Sequence, residues 1–250
     1  MIDASLAYTE VADRLSLVLS SIEGARADDP VRACPAWSVR DVVAHHCGVV
    51  VDLVSGNLAE FTQGLDLLQQ WRDENVARAR DALTARQVAE RRGRSLASVI
   101  TEWHEATAAL APMLRGEEPF PNGVPAIFGA VVINDVVVHE GDIRYALDLG
   151  PAPEGTALSL ALSGYGFSLD QRIREVGLAP LGLAYDGKQR QLGGDGAVGA
   201  TLSSTRFDLV RILASRRTPD EILSQRWTGD PRPYVSVLPE YGQATTSADN

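Results

Sequence analysis

Asp135, His139 and Asp142 form the pattern D-x-x-x-H-x-x-D inside NDVVVHEGDIRYALDLG. On a helix, residues three and four apart share a face, so a carboxylate and an imidazole one turn apart can converge on a single ion. The pattern is set between apolar residues, which turns that polar face inward. A second pair, His45 and His46, stands in VRDVVAHHCGVVVDLVS, and with His104 and His139 they make up the four histidines of the chain. One histidine from one helix and a carboxylate with a histidine from another give a three-ligand N/O set with an open fourth position. That is the pattern of a catalytic metal centre rather than a closed structural one. The same spacing also serves a surface ion pair or a hydrogen-bonded buried histidine. His104, beside Trp103, reads as a partly exposed helix residue. Cys47 reads as a small core side chain, and Cys34 lies in a loop just ahead of the second histidine-bearing segment, both as reduced thiols.

Helices must carry these groups. Leu6, Val11, Leu15, Leu17, Val18 and Ile22 keep helical spacing in an opening segment that stops near Gly24. Ser38, with Asp41 three residues on, predicts a capping box and a second helix running from there to about Phe61. The stretch QWRDENVARARDALTARQVAERRGR has few large apolar residues and reads as an exposed helix or a lid-like segment, its arginines a solvated face. Leu96, Val99, Ile100, Trp103, Ala106, Leu110 and Met113 define a third core helix, and the segment from Ala126 to Leu149 a fourth, stopped by Gly150 and Pro151. Four long helices imply an up-and-down bundle over residues 1–150. PAPEG then reads as a hinge. After one more helix, LGLAYDG, KQRQLGG and AVGATLSS have strand length, and Thr205 and Thr218 each start a short capped helix. Residues 151–242 are expected to form a small α+β domain and 243–250 a disordered tail.

The 250-residue chain has a net charge of -10, a single lysine at Lys188 and 45% hydrophobic residues. That balance suits a large buried core and gives no basic footprint for nucleic acid. The N-terminus lacks the basic and apolar regions of a signal peptide, and the runs Ala126–Ile133 and Val136–Val138 fall far short of the roughly 20 residues of a bilayer span. A cytoplasmic monomer or homodimer is expected, without membrane or nucleic-acid partners.

Ala33 to Gly48, ACPAWSVRDVVAHHCG, resembles the first signature of the mycothiol-dependent maleylpyruvate isomerase family, a branch of the DinB-like metal-binding bundles. NDVVVHEGDIRYALDLG resembles its second signature. The C-terminal pattern, with TRFDLVRILASRR and RWTGDP, is similar to the family's small sterol-carrier-like domain, so the likeness runs to about Gly242. The resemblance implies an α+β protein in which His45, Asp135 and His139 hold a divalent metal, Zn²⁺ above others. Family isomerases carry Glu where this chain has Asp135, and the shorter side chain must approach the ion more closely. Periodicity alone leaves His45 and His46 open, since His46 falls nearer the centre of the apolar stripe of Val39, Val42, Val43, Val50 and Leu53.

Such a site suits thiol activation. A free thiol has a pKa of about 8.5, and coordination to Zn²⁺ deprotonates it at neutral pH. The resemblance implies that the thiol is mycothiol and that it adds to a small electrophile, in a cis-trans isomerisation of maleylpyruvate type or an S-transfer. A carboxylate cosubstrate would call for an arginine fork, for which Arg144 and Arg217 are the leading candidates, with Arg216 and Arg226 behind them. Two rival readings are a non-catalytic metal-containing module that binds a small ligand and a metal-dependent hydrolase. The latter lacks an evident general base, because Glu140 points about 100° around the helix from His139.

Overall fold

The computed structural model describes residues 3–22, 24–58, 61 and 73–249, which fall into two units, Met1–Gly150 and Pro151–Asn250. The architecture is α+β: helices in the first unit, helices and a four-stranded sheet in the second.

In the first unit α1 spans Ala4–Ser21, α2 Val39–Ser55, α3 Glu74–Ala89, α4 Leu96–Leu114 and α5 Phe128–Ala146. α1 and α2 each pack on both α4 and α5, and α3 packs on α2. The start of α2 follows from its sequence: Ser38 Oγ accepts from the Asp41 backbone N–H while the Asp41 carboxylate accepts from that of Ser38, a full capping box. Gly56, in the left-handed region at φ +73°, closes the helix, and a Cβ there would fall 2.4 Å from the Asn122 amide nitrogen. The helix thus stops short of the expected Phe61, and residues 59, 60 and 62–72 lie outside the described ones. On α1 the core face is Ala7, Tyr8, Val11, Ala12, Leu15 and Leu19. The expected stripe is corrected there, with Leu6 and Leu17 56% and 74% exposed, since two residues past Leu15 is the far side of a helix. The charged stretch forms a helix, α3, whose buried residues are Gln87 and Val88 alone.

In the second unit α6 (Thr156–Glu175) packs on β2 and on α7 (Arg206–Leu213). The sheet runs in the order β2-β1-β3-β4, from β1 (Leu181–Tyr185), β2 (Lys188–Leu192), β3 (Ala200–Ser203) and β4 (Arg226–Gly229). β1 pairs antiparallel with β2 and parallel with β3, and β3 pairs antiparallel with β4, a strand that the sequence pattern did not announce. Asp186 and Gly187 make the two-residue turn between β1 and β2, both at positive φ, as that hairpin type requires. Leu181, Leu183, Leu192 and Leu202 turn into the core with Leu169 and Ile173 of α6. The short helix α8 (Pro219–Leu223) begins with a complete Thr218–Glu221 capping box.

At the end of the described chain, residues 247–249 have partners. Ala248 is buried, Ser247 donates to Glu221, and the Asp249 carboxylate accepts from Arg211 and Arg217. Both of those guanidiniums are nearly enclosed. No described helix is long and apolar enough to cross a membrane.

Candidate metal centre

α2 brings His45 and His46 to the face of α5 that carries Asp135, His139 and Asp142. His45 Nε2 lies 3.5 Å from Asp135 Oδ2, His46 Nδ1 lies 3.3 Å from that same oxygen, and His139 Nε2 lies 3.6 Å from Asp135 Oδ1. One ligand atom each from His45, Asp135 and His139 fall within 4.8 Å of one another. All three imidazoles are buried. Asp135 Oδ2 is itself enclosed and has no hydrogen-bond partner among the described residues. An enclosed carboxylate oxygen without a donor is costly unless something positive shares its space. Two imidazole nitrogens and a carboxylate oxygen are a donor set that Zn²⁺ accepts, so the residues fit a divalent ion.

The surroundings tell the ligand candidates apart. His139 Nδ1 stands 2.9 Å from the fully enclosed Asp142 carboxylate, and Cys34 joins the same pair to form a second cluster of possible ligand atoms within 4.8 Å. His45 Nδ1 meets Gln87 Oε1 at 2.9 Å. The His46 ring stacks on Trp103 at 5.5 Å between centroids and 10° between planes, and its Nε2 has no hydrogen-bond partner among the described residues. Trp103 in turn donates its indole N–H to the Tyr8 hydroxyl at 3.0 Å.

The charge states follow. Burial drives the His46 imidazole down to about 4, against the pull of Asp135. Burial would lower His139 as well, but the Asp142 carboxylate first, then Cys34 and Asp135, outweigh it and raise that ring to about 10. Burial would raise Asp135, yet the surrounding histidines, His45 foremost, hold its carboxyl well below the usual range. Cys47, fully buried, is pushed up to about 12 by burial and behaves as an inert core thiol.

A tight loop roofs the site. Val31 N–H donates to the Trp37 carbonyl at 3.0 Å and Trp37 N–H to the Cys34 carbonyl at 2.8 Å. These bonds place the Trp37 ring 5.1 Å from His45 and 6.3 Å from His139.

The other sequence candidates have partners of their own. Arg144 donates to the carbonyls of Leu149 and Gly150 at 3.1 and 3.2 Å, just past the end of α5. Arg217 belongs to the second unit, where it pairs with Asp208 at 2.8 Å and with Asp249. Glu140 is held by Arg14 through two bonds of 2.6 and 2.7 Å, and His104 Nε2 lies 2.8 Å from Ser16 Oγ. Sequence reasoning missed Gln87 and Asp52, which back His45. The one signal for them was Gly48 in mid-helix, where a side chain would have met Gln87.

No curated protein matches the chain. Among solved structures, the mycothiol-dependent maleylpyruvate isomerase shares 16% sequence identity, with 86% of this chain and 88% of that one aligned at a TM-score of 0.52. A histidine-to-alanine mutant of the mycothiol-dependent maleylpyruvate isomerase matches at 15% identity over 86% and 88% of the two chains, with a TM-score of 0.51. At such identities the likeness speaks for the fold. By sequence, residues 8–144, more than half of the chain and most of the helical unit that carries the histidines, match the mycothiol maleylpyruvate isomerase N-terminal domain, and the chain belongs to that family.

Proposed function

We propose that this protein is a metal-dependent enzyme that activates a low-molecular-weight thiol, mycothiol, for addition to a small electrophile, as a cis-trans isomerase of maleylpyruvate type or as an S-transferase. The observation that carries this reading is the group formed by His45, Asp135 and His139, three ligand atoms within 4.8 Å around a carboxylate oxygen that lacks a donor. These three residues would hold the ion, Zn²⁺ by donor type. When bound, the ion supplies Lewis acidity that turns a thiol into a thiolate at neutral pH.

The residues of the chain do the rest. Gln87 meets the His45 ring from behind, the Asp142 carboxylate stands 2.9 Å behind that of His139, and Asp135 supplies the negative charge that favours a cation. Trp37 limits water over the rings, which strengthens every charge interaction beneath it. In the isomerisation the sulfur adds to an activated double bond, the resulting single bond rotates, and loss of the same thiol leaves the isomer. A transferase keeps the adduct. Family membership and the name of the aligned structure support the thiol and the substrate class. A hydrolase would need a base beside the site, and Glu140 is committed to Arg14.

The test is metal content and turnover together. The purified protein should carry about one divalent ion per chain, lost in His45→Ala and His139→Ala, and should consume or isomerise maleylpyruvate only with mycothiol present. A zinc-loaded protein without turnover on a panel of electrophiles plus mycothiol would overturn the enzymatic reading.

A further inference from the structure

His45 differs from His46 in what stands behind it. Gln87 Nε2 donates to Asp52 Oδ2 at 2.7 Å, and Arg86 donates to that oxygen at the same distance. A carboxylate only accepts, so the amide NH₂ of Gln87 faces Asp52 and its carbonyl faces His45. That carbonyl also only accepts. The proton of a neutral His45 ring therefore sits on Nδ1, 2.9 Å away, and leaves the Nε2 lone pair turned to Asp135. Gln87 and Asp52 are 1% and 2% exposed, so the chain of contacts is enclosed. Gly48 admits it: a Cβ on that residue would lie 2.5 Å from Gln87 Cβ and 2.7 Å from its Cγ. Besides Gln87, only Val88 of α3 is buried, so this polar knot is a large part of what docks the helix.

We propose that Gln87 is a positioning residue of the metal centre. Oriented by Asp52 and admitted by Gly48, it holds His45 as the Nδ1–H tautomer with Nε2 directed to the ion, and it makes occupancy of the site and docking of α3 one coupled equilibrium. The proposal rests on the reading of His45 as a ligand. It requires that whatever loosens α3 weakens the site, and that filling the site tightens α3.

The experiment is nitrogen-resolved NMR of the histidine rings in the full chain, with and without one equivalent of Zn²⁺, at a pH where the His45 ring carries one proton. Chelator competition and hydrogen exchange complete it. The expected result is His45 protonated on Nδ1 in both states. Gln87→Met should mix the tautomers and lose about 10–100-fold in Zn²⁺ affinity. The double exchange Gln87→Glu with Asp52→Asn keeps an acceptor facing His45 and a donor between the two side chains, and should recover most of that loss. Zn²⁺ should slow amide exchange in α3 of the wild type and leave it unchanged in Gln87→Met.

A wild-type His45 protonated on Nε2 overturns the proposal, and so does a Gln87→Met protein with undiminished affinity. If that variant fails to fold, the wild-type tautomer decides. A wild type that binds no Zn²⁺ would overturn the metal reading instead, and the zinc-free tautomer would still judge the role of Gln87.

Discussion

His139 Nδ1 stands 2.9 Å from the carboxylate of Asp142, three residues further along α5, while Nε2 of the same ring faces Asp135 at 3.6 Å. A single imidazole therefore joins an enclosed carboxylate to the candidate ligand cluster. Such a carboxylate orients the ring and raises its basicity as a ligand. Asp142→Asn keeps the shape and removes the charge, and it should lower Zn²⁺ affinity by about 10–100-fold in a chelator competition. Its circular dichroism spectrum should match that of the wild type. An unchanged affinity would show that Asp142 serves the fold alone.

The two displaced histidines predict a stability maximum for the metal-free protein. Burial holds folded His46 near about 4 against its ordinary 6.5, so between those values the unfolded chain binds a proton that the folded chain does not. Stability must rise with pH over that window. His139 is opposite: burial opposes its charge, but Asp142 and Cys34 lift it to about 10, so its contribution is complete below 6.5 and is lost as pH rises through about 10. Denaturant titrations of the metal-free protein should therefore peak near 6.5. With Zn²⁺ bound the upper limb should flatten or invert, because ligation requires an unprotonated ring. A metal-free protein that keeps gaining stability up to pH 10 would contradict the His139 assignment.

Much of this site could be read without coordinates, and the parts that could not share a physical reason. The Ser38–Asp41 box is a local device and occurs as the sequence indicates. The one-turn spacing of Asp135 and His139 is likewise local. His45 and His46 could not be ranked by periodicity because α3, α4 and α5 all pack on α2, leaving the rings 4% and 1% exposed. A stripe argument assumes one wet side, and at that level α2 has none. Gln87 was hidden for the opposite reason, since it sits in a helix with hardly any apolar pattern, and its importance comes from Asp52 and Gly48 more than thirty residues away. Arg144 was chosen for its charge and its place about one and a half turns past His139, and Arg217 as a cation of the C-terminal unit; each has protein partners in its own unit.

The Trp103–Tyr8 contact offers a test confined to stability. Both side chains are 0% exposed, and the Tyr8 hydroxyl is the acceptor for the indole N–H at 3.0 Å. Tyr8→Phe leaves that donor buried and unsatisfied, at a cost of about 1–3 kcal/mol. Thermal melting should show the loss while the number of bound ions stays the same. A melting temperature equal to that of the wild type would mean that the indole finds another acceptor.

Glu140 supplies the electrostatic counterpart. Its side chain is 2% exposed and takes two bonds from Arg14, whose own side chain is 31% exposed. Arg14→Leu strands the carboxylate, and breaking a buried pair from one side costs roughly 3 kcal/mol. The double variant Arg14→Leu with Glu140→Leu should regain much of it, since no charge is then left behind. If the single variant unfolds at the wild-type denaturant midpoint, the pair contributes nothing.

Trp37 is held in its loop by backbone bonds on both sides, to Val31 and Cys34, with its ring 5.1 Å from His45. An indole fixed that close to an imidazole is an optical gauge that the molecule carries without any label. Indole emission depends on the rings packed around it, so loading of the cluster with an ion would be expected to change the light from that residue. If the cluster takes an ion, the chain would thus report its own loading in dilute solution and in real time.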